Sequence, residues 1–567
     1  MYIHRTSKCN KYQNYMNFKS IVSISVIIVI SACTNPSDKA SQVITAESLL
    51  EPIEILSSDD FEGRAPATKG EDLTVKYLVS EFEKAGLEPG MSDGSFIQDF
   101  PLLGMNVDRG SAMISLKKDG NRVEELEYFT EFMAWPSNEE EAVEIRDAEL
   151  VYVGYGIQAP EFNWDDYKGV DVEGKILVFK NDDPKNDPEL FAGNARLYYG
   201  RWSYKYEIAQ ELGALGAVII HTTPTAGYPW LVVSNSWGRE RFSLKSSEES
   251  GDGIPAFNGW LTQESSRNLF DLAGLSFREQ LDSAENRDFS PVPLEGVTMD
   301  VNLNAEYSDM VSRNVLGKIE GNDPDLKEEY LVFTAHHDHL GVTFPVEGDS
   351  INNGALDNAA GISAMLNLAK AYKQIKPDLR RSALFLAVGA EEMGLLGSQY
   401  WASNPTIHPG KITANINLDG MQVYGPTEDV VLVGYDRNTV SDVIEEIAER
   451  NGRIVKPDPS PEQGFFYRSD HFSLAKIGVP AIFPNPGRDY IGKPDAYNET
   501  VDSLRNVNYH SVSDEINEFW DLGGMERDVR LFFEAGLEIL NADKKMSWRE
   551  GDEFEAARNQ MLEEAGN

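Results

Sequence analysis

The sequence predicts an α/β protein, and two observations carry that prediction. From Asn314 onward, apolar runs alternate with segments of helical periodicity, the pattern of strands crossing to helices. The apolar runs then end on polar, chemically active residues, and in an open α/β sheet ligands bind beyond the carboxyl ends of the strands. At 567 residues the chain is too long for one ordinary core, so two or three domains are expected.

In order, Ala46–Leu56 reads as a short helix, and 59–66 as a turn-rich stretch around Phe61-Glu62-Gly63-Arg64. Leu73, Tyr77, Leu78 and Phe82 share one helical face, predicting an amphipathic helix from about Gly70 to Ala85 that stops at Gly86. Alternating strands follow to about Trp135. From about Asp147 the texture changes: 150–156 and 175–179 read as strands, 207–215 as a helix, 217–220 as a buried strand, and Trp230 to Glu249 as a long loop. In the last part, 330–335, 382–388 and 412–418 read as strands, while 361–373 and 439–451 read as helices. Past Ser547 a charged surface helix is expected.

The N-terminus carries Arg5, Lys8, Lys11 and Lys19 with no acid before an apolar run, Ile21 to Ile30. That run is too short to span a bilayer and has the pattern of a secretory signal. It ends in Ser31-Ala32-Cys33, followed by a polar tether. Small residues before a Cys resemble the bacterial lipoprotein signal, which implies an exported chain anchored by lipid on Cys33. The cysteines are Cys9 and Cys33, so processing at Cys33 leaves no thiol for catalysis, disulfides or zinc. With 93 acidic against 51 basic residues the net charge is -42, which argues against a nucleic-acid partner because a polyanion is repelled.

The chain has eight histidines. His336, His337 and His339 sit together where the strand 330–335 ends, with Asp338 among them. A His can offer one ring nitrogen to a metal while an Asp two residues on receives the other N–H. Asp357 opens a helix in Gly354-Ala355-Leu356-Asp357-Asn358, a position suited either to capping or to bridging two cations. Glu391 and Glu392 follow the buried strand 382–388, and adjacent carboxylates there repel unless cations are near. Asp419 ends the next strand, and His510 lies beside Asp514 and Glu515.

Taken together these segments resemble the di-zinc aminopeptidase family that includes bacterial leucyl aminopeptidases and glutamate carboxypeptidase II. The resemblance covers most of the mature chain. It includes 61–64, the stretch Tyr467-Arg468-Ser469-Asp470-His471-Phe472, and two phrases, 169–178 and 214–220, similar to a protease-associated domain. It implies a zinc exopeptidase fold: a mixed central sheet with helices on both faces, plus an inserted, mainly-β protease-associated domain. The expected organisation is a signal peptide at 1–32, a tether at 33–45, the first part of the peptidase domain at 46–146, the insert at 147–293, and the catalytic domain at 294–567.

Residue by residue, the resemblance implies two zinc ions per chain. His336 and Asp419 would hold one, Glu392 and His510 the other, and Asp357 would bridge them. Asp338 would orient His336, and Glu391 would be the general base toward a metal-bridging hydroxide. Tyr467 is a candidate oxyanion or substrate contact. His339 is expected beside the centre, His337 and His471 in packing roles, and Arg64 recurs in the resemblance with no role assigned. The implied activity is removal of N-terminal residues from peptides. The alternatives are a carboxypeptidase or dipeptidase of the same fold, with Arg468 and Arg488 as candidate carboxylate clamps, or a peptide-binding lipoprotein without catalysis. The implied partners are a peptide substrate and a membrane reached only through Cys33.

Overall fold

The computed structural model describes residues 36–185, 190, 191, 193–245 and 254–566. The expected signal peptide and Cys33 lie outside the described residues.

After a short helix, Pro36–Ser41, two longer helices follow. The Thr45 side chain accepts from the Ser48 N–H at 3.1 Å and caps α1, Ala46–Leu56, filling one of the orphan donors of a first turn. The helix α2, Lys69–Ala85, stops at Gly86, whose φ of 73° is left-handed, a conformation cheap only for glycine. Next comes the strand β1, Ile97–Val107. A separate group of strands follows: β2 (Ile176–Lys180), β3 (Gly216–Ile220) and β4 (Phe257–Leu261), paired in parallel as β2–β3–β4. The helix α3, Trp202–Glu211, lies between β2 and β3 in sequence.

One long strand, β5 (Val292–Ile319), belongs to both parts of the molecule. Its first half pairs with 113–118 and 142–152, and its second half pairs antiparallel with β1 and with the strand Ser382–Val388. The main sheet continues with β6 (Tyr330–His336), the helix α4 (Ala360–Gln374), β7 (Ser382–Val388), β8 (Ile412–Asn417) and β9 (Ala481–Asn485). Its centre is parallel, in the order β7–β6–β8–β9, and its flanks are antiparallel. The helices α5 (Tyr497–Asn508) and α6 (Gly523–Asn541) close the chain order here. The fold is therefore a mixed α/β fold with a large central sheet.

Alternation along the strands explains the layers. Leu331, Phe333 and Ala335 pack into one core with α1, α2, α4 and α6, whereas Val332, Leu384 and Leu386 pack into another with Trp401 and Leu474. Successive side chains of a strand face opposite sides, so helices cover both faces. A separate core gathers Met105 to Ala305, wider than the segment 147–293.

Three expectations are refined. The described part of the expected loop Trp230–Glu249, residues 230–245, is ordered instead as a helix, Trp230–Trp237, and a strand, Arg241–Leu244, paired with β1. Trp237 stacks on Trp135 with ring centroids 3.5 Å apart, and Arg241 sits over the Trp237 ring; burial of these aromatics orders the segment. The charged surface helix expected past Ser547 is present as Glu555–Glu564, with Arg558 its buried residue, but the segment is tied to the fold. Trp548, Phe554 and Arg558 are buried, and Arg437 pairs with Asp552 and Glu553 at 2.8 and 2.7 Å. The helix expected at 207–215 starts earlier, at Trp202, because Tyr204, Ile208 and Ala209 form its buried face.

Candidate metal centre

The centre forms where the parallel strands end. His336 is the last residue of β6, and Asp419 follows β8 by two residues. The strands run in register, Thr334 beside Asn417, so the two side chains emerge side by side. A polar chain holds Asp419: Thr334 donates to Asn417 at 2.6 Å, Asn417 to Ser469 at 2.7 Å, and Ser469 to the Asp419 carboxylate at 2.6 Å.

Asp357 stands between two groups. One of its oxygens lies 3.1 Å from His336 Nε2, which is also 3.5 Å from Asp419. Its other oxygen lies 3.3 Å from His510 Nε2, which is 3.0 Å from Glu392. His339 Nδ1 approaches the other Glu392 oxygen at 2.7 Å. The five expected ligands are thus brought together, and His339 joins the second group as a further donor. His336, Asp357 and Asp419 form one set with ligand atoms within 4.8 Å of one another; His339, Asp357 and Glu392 form another.

Electrostatics bears on what the site holds. Burial alone would depress the His336 imidazolium, yet Glu391, Asp357 and Asp419 push its pKa well above the ordinary value. Burial likewise opposes the His510 charge, but its bonds to Asp357 and Glu392 lift it to about 10. Burial and Asp357 work against a charged Glu392, and its bonds to His339 and His510 still hold it down at about 2. So many buried carboxylates draw positive charge from every available group. His339 Nε2 is buried with no hydrogen-bond partner. Neutral-capable histidines and carboxylates in threes are a zinc donor set, and these residues fit a zinc ion in each group.

Glu391 belongs to neither set. Burial, then Glu392, Asp470 and Asp419, push its carboxyl well above the usual range despite His336, the condition of a group suited to carrying a proton near neutral pH. Asp338 differs from expectation. Its carboxylate lies 3.8 Å from His336 Nδ1, beyond hydrogen-bond reach. Instead it accepts from the Glu391 and Glu392 N–H groups at 3.0 and 3.3 Å. The near acceptor for His336 Nδ1 is the Asp338 carbonyl, at 3.2 Å. Asp338 therefore positions the glutamate turn as well as the histidine.

Tyr467 lines the cleft but is 3 % exposed, and its hydroxyl donates to Glu553 at 2.6 Å while accepting from Arg437. That proton is committed, which removes the geometric basis for Tyr467 as an oxyanion donor. His337 bonds the Arg313 carbonyl at 2.9 Å, and His471 is buried against Phe466 and Phe483.

Two positioning residues were not legible in the sequence. Arg64, 1 % exposed, donates to the carbonyls of Leu56, His337, Asn353 and Gly354 at 2.6–3.0 Å. It ties the turn after His336 to the loop before Asp357. Asp514 accepts from the Leu356 and Asp357 N–H groups at 3.1 and 3.0 Å. Its nearness to His510 in sequence was the available signal.

Two groups of potential metal ligands sharing one carboxylate beside a further buried glutamate are an arrangement that metal-dependent hydrolases use. Residues 314–533 match the family model of Peptidase family M28, and over that segment the chain is similar to this family. A probable zinc metalloprotease of Pyrenophora teres f. teres is 28% identical over 188 residues, which are 32% of this chain and 35% of that protein. Aminopeptidase YwaD of Bacillus subtilis is 31% identical over 115 residues, 20% of this chain and 22% of that one. The chain thus matches about a third or less of the length of these relatives. Among solved structures, an aminopeptidase from Aneurinibacillus sp. strain AM-1 aligns over 88% of this chain and 95% of its own, at 19% identity and a TM-score of 0.48.

Proposed function

We propose that the chain is a zinc-dependent exopeptidase that removes N-terminal residues from peptides outside the cytoplasm. One observation carries this: Asp357 faces His336 with one oxygen and His510 with the other, beside a glutamate, Glu391, that neither group uses. His336 and Asp419 would hold one zinc, Glu392 and His510 the other, with Asp357 between. Bound zinc supplies Lewis acidity, polarising a carbonyl and lowering the pKa of water toward neutrality.

The chain's own groups do the rest. Glu391 takes a proton from the attacking water and returns it to the leaving nitrogen. Asp338 keeps that carboxylate in place by holding its backbone N–H. Arg64 and Asp514 fix the two loops that carry the ligands. The cleft of about 880 Å³ is lined from both cores, by Arg201 to Ser203 on one side and by His336, Glu391 and Asp419 on the other. We read the part around 147–293 as a protease-associated insert that walls the cleft. Export and lipidation at Cys33 complete the reading, and loss of lipid labelling in Cys33→Ser tests them.

The activity is tested on the full chain. Zinc analysis is expected to give two ions per chain, and aminoacyl-anilides and dipeptides are expected to be cleaved in a chelator-sensitive way. A zinc-loaded protein that cleaves no peptide overturns the reading in favour of a peptide-binding lipoprotein.

A further inference from the structure

The chain carries a net charge of -42, so a cation without a counter-ion is the exception and calls for an explanation. Two arginine pairs line the cleft: Arg201 with Arg468, and Arg488 with Arg505. The second pair has a neutraliser, because Arg488 binds Asp502 through both nitrogens at 2.9 and 2.8 Å. The first has none among the described residues.

Arg201 immediately precedes α3, and its Nε is buried without a hydrogen-bond partner. Burial, then the neighbouring Arg468, lowers its pKa to about 10, so it feels cationic company rather than an anion. Arg468 is exposed, and the one contact its guanidinium makes among the described residues is with the Phe465 ring, at 5.4 Å. The acids on this part of the wall are already engaged. Glu207 bonds Lys476 at 2.9 Å, and Asp458 accepts from the Ser460 N–H at 2.8 Å. A buried guanidinium N–H lacking its hydrogen bond is costly, and a carboxylate is the planar acceptor that fits the group.

The position relative to the centre is set by the chain. Ser469, which holds Asp419, is the residue after Arg468, about 3.8 Å on from Cα to Cα. Arg201 and Arg468 line the same cleft as His336, Glu391 and Asp419, so a group seated on them shares that cleft with the scissile bond.

We infer that Arg201 and Arg468 form a carboxylate subsite, and that the substrates are short peptides bearing an anionic carboxylate close beyond the bond that is cut. This rests on the peptidase reading above. The carboxylate comes from the C-terminus of a very short peptide or from an acidic side chain; the chemistry is shared, and the test separates the sources.

The zinc-loaded full chain is assayed on Leu-Ala, Leu-Ala-amide, Leu-Glu-amide and Leu-Gln-amide. A C-terminal source gives Leu-Ala a kcat/KM about tenfold or more above its amide. A side-chain source gives Leu-Glu-amide the same advantage over Leu-Gln-amide. In Arg201→Gln and in Arg468→Gln the advantage falls toward one, mainly through KM, while Arg201→Lys keeps part of it. Arg468 is exposed, so its variant reports even where the Arg201 variant loses its fold, which thermal unfolding monitors. Equal rates within both peptide pairs overturn the subsite and leave the peptidase reading intact. If no peptide is cut, the peptidase reading fails, and calorimetry of Leu-Ala binding decides the subsite alone. Binding that is lost in Arg468→Gln supports it, and absent or unchanged binding overturns it.

Discussion

His336 has 1 % of its side chain exposed and ends a central parallel strand; His510 has 36 % exposed and sits at φ 53° in the loop after α5. Around His336, Asp419 is fixed by a relay through Thr334, Asn417 and Ser469. Around His510, support comes from the ligands themselves and from the exposed Tyr509 ring stacked on it at 3.9 Å. One half of the centre is thus part of the sheet, and the other is completed by a loop. A half built on strands is preorganised by packing, whereas a half that borrows a loop residue depends on that loop's local stability.

The largest effect should come from a residue that serves neither half. Glu391→Ala is expected to lower kcat by about 10²–10⁴-fold with zinc content unchanged, read by metal analysis beside peptide hydrolysis. Unchanged turnover removes Glu391 from its role.

The comparison itself is broken or kept by paired ligand variants. His336→Ala leaves buried carboxylates without a partner and should cost about 3 kcal/mol of stability together with metal from its half. His510→Ala should lose metal from its own half with a much smaller drop in thermal midpoint. Equal losses in the two variants would mean that the strand-built half is no more preorganised than the loop-built one.

Asp514→Ala tests the shared carboxylate. Without its two N–H contacts, Asp357 loses its aim toward both groups, and zinc affinity should fall about 10–100-fold, measured by competition with a chromophoric chelator.

The smallest effect at neutral pH concerns the floor of the strand-built half. His471, next to Asp470 and Ser469, is held neutral by burial and by Arg437, with its pKa lowered to about 3. The unfolded chain binds that proton near the ordinary 6.5, so between about 6.5 and 3 the unfolded state holds more protons. Stability is therefore complete above about 6.5 and is lost as pH falls through this window, at about 1.4 kcal/mol per unit of depression. His471→Phe should move acid unfolding to lower pH while changing stability little at pH 7. An acid midpoint that stays in place shows that His471 does not drive the transition.

Legibility followed the range of the forces involved. The strands around His336, Glu392 and Asp419 were readable because each is a short apolar run, and chemistry at the end of such a run has few structural alternatives. Arg64 was visible but inexplicable, since its acceptors at His337, Asn353 and Gly354 lie more than 270 positions away. The segment 230–245 was misread as a loop because its order comes from stacking on Trp135, far upstream. Tyr467 was considered as a donor because nothing in its neighbourhood announces Glu553, 86 residues later.

The α/β alternation and the acidic charge balance were determined by the sequence by itself, because periodicity and residue chemistry are local properties, and the five converging side chains were named through the resemblance that their local motifs carry. Only the tertiary structure decided that Asp357 faces both groups, that the Tyr467 hydroxyl is already engaged as a donor to Glu553, and that Arg201 and Arg468 line the cleft without a carboxylate partner among the described residues. Those outcomes depend on distances between segments far apart in the chain, and packing alone sets such distances.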